Sequence, residues 1–141
     1  MEFQAALADL QLKNVEDITK KRLNNVKYLN ENLQDFNHIL QLPKYDSNVS
    51  YLAYVILIKN PEIISRKKLR YELEKKGIET RPLFGSIPTQ QPAYNHLKNE
   101  YKGKIPIADY VGKNAFYIGC HQYLEQKDLD YVIRVFNDIL R

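Results

Sequence analysis

Ser50-Tyr51-Leu52-Ala53-Tyr54-Val55-Ile56-Leu57-Ile58 is the stretch on which the fold of this chain turns. It is rich in Tyr, Val and Ile, which fit a pleated surface, and it stays apolar from Tyr51 to Ile58. Unbroken apolar character predicts a central strand buried on both faces, whereas a half-exposed strand alternates. The run is also far shorter than the roughly 20 residues a membrane-spanning helix needs, and no longer apolar run occurs.

Downstream lies a helix with both ends marked. Ser65 is its N-cap, and Ile64 and Leu69 occupy the positions of a hydrophobic staple. Lys75 and Lys76 fall in the last turn, where the helix dipole favours cations, and Gly77 follows as a left-handed cap. Ile78-Glu79-Thr80-Arg81 then reads as a short strand stopped by Pro82. Ala115 to Cys120 is a second buried strand, followed by a helix from Glu125 to Leu140. Leu129, Val132, Ile133, Phe136, Ile139 and Leu140 share one face of that helix, and Leu124 and Leu129 suit a second staple. Residues 83–106 are mostly loop, with short helices expected at Pro92–Lys98 and at Ile107–Gly112. An irregular stretch this long in a compact domain usually serves function.

Upstream, residues 2–36 read as helix. Phe3, Ala6, Leu7 and Leu10 form one apolar stripe, and Ile18, Val26, Leu29, Leu33 and Phe36 a second. A break is expected near Asn14, a good N-cap with Glu16 and Asp17 in the turn behind it. The first stripe asks for a covering surface that the remaining residues do not obviously supply. Leu42-Pro43 closes this region. The fold expected is α+β (α/β): a small, mostly antiparallel sheet of three to four strands packed with helices and preceded by a long bent helix. All of residues 1–141 are expected to form a single small domain, with 1–38 a helical lead-in and 45–141 an α/β sandwich.

Composition narrows the function classes. Apolar residues at 44% and charged residues at 27% describe an ordinary globular chain and exclude collagen-like, low-complexity and disordered readings. The N-terminus has neither a basic start nor an apolar signal core, so a cytoplasmic location is expected. One cysteine, Cys120, rules out an internal disulfide and any cysteine-based zinc site. A net charge of +4 suits a phosphate-bearing partner without demanding one.

No complete active site is visible. The glycines are isolated, so no phosphate-cradling loop is present. His38, His96 and His121 lack metal-ligand spacing; His38 and His96 read as solvent-facing. Ser65-x-x-Lys68 reads as a capped helix start. Cys120 and His121 are adjacent at a strand end, so their side chains point apart; a buried Cys and a turn His follow, with His121 free to offer a ligand a hydrogen bond. Arg81 leaves a strand just before the long loop. Its guanidinium suits bidentate binding of a phosphate or carboxylate, or equally a surface ion pair. The tyrosines do not alternate with Lys or Arg on exposed strands, so a nucleic-acid platform is not expected.

Three ordered stretches resemble one family. Met1-Glu2-Phe3-Gln4-Ala5-Ala6-Leu7, with Gln11-Leu12 and Lys21-Arg22, is similar to the start of the C-terminal third of the DegT/DnrJ/EryC1/StrS family of pyridoxal-phosphate (PLP) sugar aminotransferases. Gly77-Ile78-Glu79-Thr80-Arg81-Pro82-Leu83-Phe84 and Gln91-Pro92-Ala93-Tyr94 resemble its strand and substrate loop. Tyr117-Ile118-Gly119-Cys120-His121, Leu124 and Asp128-Leu129-Asp130-Tyr131-Val132 resemble its last strand and helix. The resemblance implies the small domain of a fold-type-I PLP enzyme, with the large PLP-binding domain absent.

In that family PLP serves as electron sink, and an amino group passes from glutamate to a nucleotide-linked keto sugar; the chain looks perosamine-synthase-like. A related branch removes the sugar 3-hydroxyl instead. The family's catalytic lysine and phosphate-binding residues are expected upstream of Met1, so no catalytic, cofactor or metal residue is assigned here. Substrate contacts carried over are Arg81, Phe84, Gln91, Tyr94 and His121. Many members have a histidine after R-P-x-F, where this chain reads Ile87-Pro88-Thr89-Gln90, so a histidine contact from that loop is in question. The implied partners are the large domain and a second copy in a homodimer, with no nucleic acid and no membrane. The implied state is inactive alone, with no PLP bound. Two other readings stand beside this one: a stand-alone nucleotide or phosphate module working through Arg81, and a domain that dimerises through its first helix.

Overall fold

The computed structural model describes residues 2–83 and 87–141. Two helices lead in: α1 (Glu2–Leu12) and α2 (Val15–Leu33), the second ending in a 3₁₀ turn, Gln34–Phe36. The break falls where expected, but Asn14 does not cap α2 with its side chain. Its Nδ2 donates back to Leu10 O (3.4 Å), closing the end of α1, because its near-helical ψ of 7° aims the side chain away from the following turn.

Strands β1 (Leu40–Gln41), β2 (Ala53–Ile58), β3 (Thr80–Pro82) and β4 (Ala115–Gly119) form one antiparallel sheet in the order β1-β2-β4-β3. β4 is inserted between β2 and β3, which α3 (Arg66–Lys75) connects. Pro82 is tolerated because β3 is an edge strand. The long loop carries 3₁₀ turns at Pro88–Gln90 and Pro92–Tyr94 and a single turn of helix, α4 (Asn95–Lys98). Then α5 (Pro106–Asn114) leads into β4, and α6 (Gln126–Leu140) closes the chain.

One face of the sheet holds the core. Tyr54 and Ile56 of β2 pair across to Ile118 and Phe116 of β4, and Ile58 pairs with Leu40 of β1; all six are fully or almost fully buried. Val26, Leu29 and Leu33 of α2, Leu69 and Leu73 of α3, and Leu129, Val135 and Phe136 of α6 pack on this face in one continuous cluster. Each such aliphatic or aromatic side chain gains about 1.5–3 kcal/mol from leaving water. Two caps read from the sequence form: Ser65 Oγ accepts from Lys68 N (3.2 Å) and Gly77 adopts φ +79°. Glu125 and Asp128 add a capping box on α6.

The opposite face corrects one expectation. β2 is central, yet its burial alternates, with Ala53, Val55 and Leu57 only partly covered. α5 is the reason: it shields one end of this face, where Ala115 is buried, and stops there. It is fixed by Arg66 Nη1, which donates to Gly112 O (2.7 Å) and Ala115 O (3.2 Å), and by Tyr110 Oη, which donates to Ile58 O and Lys59 O (both 3.0 Å). No residue of α1 is buried, and Phe3 is 75% exposed.

Candidate functional site

A groove of about 660 Å³ opens where β3 and β4 diverge and α6 begins. Its floor is apolar, from Ile78, Ile118, Leu124 and Val132, and its polar groups are Glu79, Arg81, Tyr117, His121, Asp128 and Tyr131. The register explains the gathering. Arg81 pairs with Tyr117, so both point to the less covered face, while Thr80 and Ile118 face the core. His121 lies two residues beyond the end of β4, at the groove's rim.

Arg81 is held by Glu79, its same-face neighbour two residues earlier. Nε donates to Glu79 Oε1 (2.8 Å), and Nη2 lies 2.6 Å from the same oxygen. This bond pushes the guanidinium pKa up from its ordinary value, so Arg81 stays charged. Both side chains remain mostly solvated, which makes the pair weak and exchangeable for another anion. The strand beneath is anchored by a buried-edge network: Arg70 Nε donates to Thr80 Oγ1 (2.8 Å), and Thr80 Oγ1 donates to Glu74 Oε1. The Thr80 hydroxyl is the main reason Glu74 titrates below its usual range.

His121 is positioned by α2 rather than by its own strand. Asn25, itself 7% exposed, donates from Nδ2 to Cys120 O (3.4 Å) and His121 O (2.9 Å), and Arg22 Nε donates to Gln122 Oε1 (3.2 Å). Tyr123 N donates to His121 Nδ1 (3.3 Å), which makes Nδ1 the acceptor and leaves Nε2 as the ring's donor. Cys120 faces the core, as expected from its place at the strand end; burial pushes its thiol up to about 11, so it is not a nucleophile. α6 is tied to the groove's other wall by Tyr131 Oη, which donates to Lys76 O (2.7 Å).

Of the residues singled out from the sequence, the structure brings together Arg81 and His121. Gln91 and Tyr94 sit on the long loop and do not line this groove; Tyr94 is exposed, its ring 6.3 Å from that of His96. Phe84 lies outside the described residues. His38 and His96 are exposed, and Ser65 and Lys68 form the helix start read from the sequence. Among the described residues, no group of His, Cys, Asp and Glu is arranged to hold a metal, and no helix is long and apolar enough to cross a membrane. Sequence reading missed Glu79, Asp128 and Tyr131. The Glu79–Arg81 spacing was a usable signal, since i and i+2 share a strand face. Asp128 and Tyr131 arrive only through the packing of α6.

A sheet in the order β1-β2-β4-β3, covered on one face by α2, α3 and α6, is a fold shared with solved aminotransferase structures. The chain belongs to the DegT/DnrJ/EryC1/StrS aminotransferase family, whose sequence profile matches residues 1–137. It is 30% identical over 139 residues to the lipopolysaccharide biosynthesis protein RfbH of Salmonella typhimurium, covering 97% of this chain and 32% of that protein. It is 28% identical to the dTDP-4-dehydro-2,6-dideoxy-D-glucose 3-dehydratase of Saccharopolyspora spinosa, covering 94% of this chain and 29% of the relative. Its fold is similar to that of a DegT DnrJ EryC1 StrS aminotransferase from Brucella abortus, with a TM-score of 0.78 at 24% identity, over 96% of this chain and 35% of the other. The chain thus spans about a third of the length of the relatives it matches.

The groove's own residues do not fit PLP. Among the described residues no lysine lines it, so they offer no amine to anchor the cofactor, and the groove's carboxylates stand beside Arg81 and at the start of α6. What the arrangement can do is recognise: a cation that can exchange its partner, an imidazole N–H donor and an apolar floor between them.

Proposed function

We propose that this chain is the substrate-side lobe of a PLP-dependent enzyme acting on a nucleotide-linked keto sugar, with PLP held by residues outside this chain. The convergence of Arg81 and His121 on one groove carries the reading, because that pair matches an anionic, hydroxyl-rich ligand. Arg81 exchanges Glu79 for a phosphate or carboxylate of the ligand, and His121 Nε2 donates to a sugar oxygen. Phe84, Gln91 and Tyr94, on the loop that leaves β3, complete the sugar-nucleotide surface. Support for a missing partner surface comes from α1, with no residue buried, and from the half-covered sheet face. The lobe works in the cytoplasm as part of a homodimer and is inactive alone.

Two reactions fit this lobe. Amination is the family's described activity. Dehydration at the sugar 3-position is favoured by the Saccharopolyspora spinosa relative, which is named for it. Joining this chain to the remaining two-thirds of that relative tests the reading. Conversion of a keto-sugar nucleotide is expected, and Arg81→Ala is expected to raise KM about tenfold or more with a smaller change in kcat. An unchanged KM refutes the role of Arg81. A PLP absorption band formed by the 141-residue chain alone contradicts the assignment of the cofactor to another lobe.

A further inference from the structure

A second pocket, of about 580 Å³, lies between the Pro88–Gln90 turn, α4 and α5. Three lysines converge on it, Lys98, Lys102 and Lys113, and all three are exposed. None of the three stands within 4.0 Å of a carboxylate among the described residues, as is also true of other basic side chains such as Lys67 and Lys68; what sets these three apart is that they share one concavity. Gathering unpaired cations around one concavity raises the local potential and attracts an anion.

The pocket has one carboxylate, Asp109, and it is already engaged: Gln90 Nε2 donates to Asp109 Oδ1 (3.2 Å) and to its backbone O (3.0 Å). The lysines therefore outnumber the acid, three to one. A second, independent observation comes from Thr89, which also lines the pocket. Its Oγ1 is the buried side-chain polar atom left without a hydrogen-bond partner among the described residues. A buried hydroxyl without a partner costs about 1–3 kcal/mol, and an anion in the pocket is one group that would satisfy it. Gly112 leaves room for the Gln90 side chain, since a Cβ there would stand 2.6 Å from Gln90 Oε1.

We infer that this pocket binds a phosphate-bearing anion, with Lys98, Lys102 and Lys113 neutralising it and the Thr89 hydroxyl donating to one of its oxygens. The site is separate from Arg81 and His121, and it stands or falls independently of the function proposed above. The shared chemistry, a diphosphate, has two sources: a free polyphosphate and a nucleoside diphosphate.

The 141-residue chain, followed by amide-resolved NMR and calorimetry, is titrated with inorganic pyrophosphate and with GDP. Saturable shifts confined to residues 89–113 are expected with pyrophosphate. The triple variant Lys98→Gln/Lys102→Gln/Lys113→Gln is expected to weaken binding about tenfold or more, and Thr89→Val several-fold. The control Lys67→Gln/Lys68→Gln, on α3, is expected to leave affinity unchanged. Tighter binding of GDP than of pyrophosphate identifies a nucleotide as the source, and equal or weaker binding identifies free polyphosphate. No saturable binding, an equal loss in the α3 control, or unchanged affinity in either the triple variant or Thr89→Val overturns the site.

Discussion

Replacing Asn25 by alanine tests whether α2 builds the groove's rim. Asn25 is a polar residue in the middle of a helix, buried among apolar neighbours, and its amide is spent on two carbonyls of the turn after β4. Alanine leaves those acceptors short of a donor in a site closed to water, a loss of about 1–3 kcal/mol. Two terms pull the figure down. His121 O keeps Leu124 N as a donor at 3.2 Å, so it is only partly orphaned. Alanine is also the better helix former, by roughly 0.6 kcal/mol. The net expectation is a destabilisation of about 1–2 kcal/mol in urea unfolding, with the m-value unchanged. Asn24→Ala is the matched control: its side chain is exposed, so that change is expected to be neutral or slightly stabilising. Amide exchange at Gln122 to Leu124 is expected to speed up in the Asn25 variant and not in the control. If both variants unfold at the same urea concentration, the clamp contributes nothing, and His121 is placed by β4 alone.

Gly77→Ala is expected to cost about 1–2 kcal/mol in the same assay, because φ +79° is a left-handed conformation that alanine resists although nothing crowds its Cβ; an unchanged midpoint would refute the strain argument. Cys120 supplies a pH signature. Its folded thiol is raised to about 11 from 9.0, so its share of stability is complete below pH 9 and lost as pH climbs through 11. Comparing wild type with Cys120→Ala at pH 8 and pH 10.5 isolates that loss, and a pH-independent difference would contradict the burial. Leu7→Gln combined with Leu10→Gln is expected to change stability by no more than about 0.5 kcal/mol, since both side chains are about half exposed. A larger loss would show α1 packing on its own chain.

Local signals carried most of the fold. α3 was legible end to end because Ser65, the staple pair Ile64 and Leu69, and Gly77 each act over fewer than about five residues; Ser65 caps, Gly77 turns left-handed, and Ile64 and Leu69 are both buried. What escaped depends on partners far along the chain. β1 is two residues long and exists because Leu40 and Gln41 meet Ile58 and Leu57. No local pattern marks so short a strand. Asn14 has the right residue type for an N-cap, but its backbone already approaches helix, so its amide turns back to α1. The site shows the same division: Arg81 was visible as an arginine at a strand exit, whereas Asp128 and Tyr131 needed the docking of α6.

The instructive failure is β2. Its unbroken apolar run predicts burial on both faces, yet Val55 and Leu57 are only half covered. Composition reports the environment a strand is adapted to, whereas burial reports the neighbours present. α5 accounts for the cover over Ala115 but not for the apolar character of Val55 opposite Tyr117. The same mismatch holds for α1, whose Phe3, Leu7 and Leu10 recur at helical spacing with nothing against them. Two elements at different places in the fold thus carry apolar surface in excess of what this chain buries. A domain sufficient to itself gains nothing from such surface, which invites aggregation. A lobe that closes against another gains about 25 cal/mol for each Å² it covers. On the function proposed above, that excess belongs to the same argument as the groove: Arg81 and His121 on one side, and an apolar face left for a partner to cover.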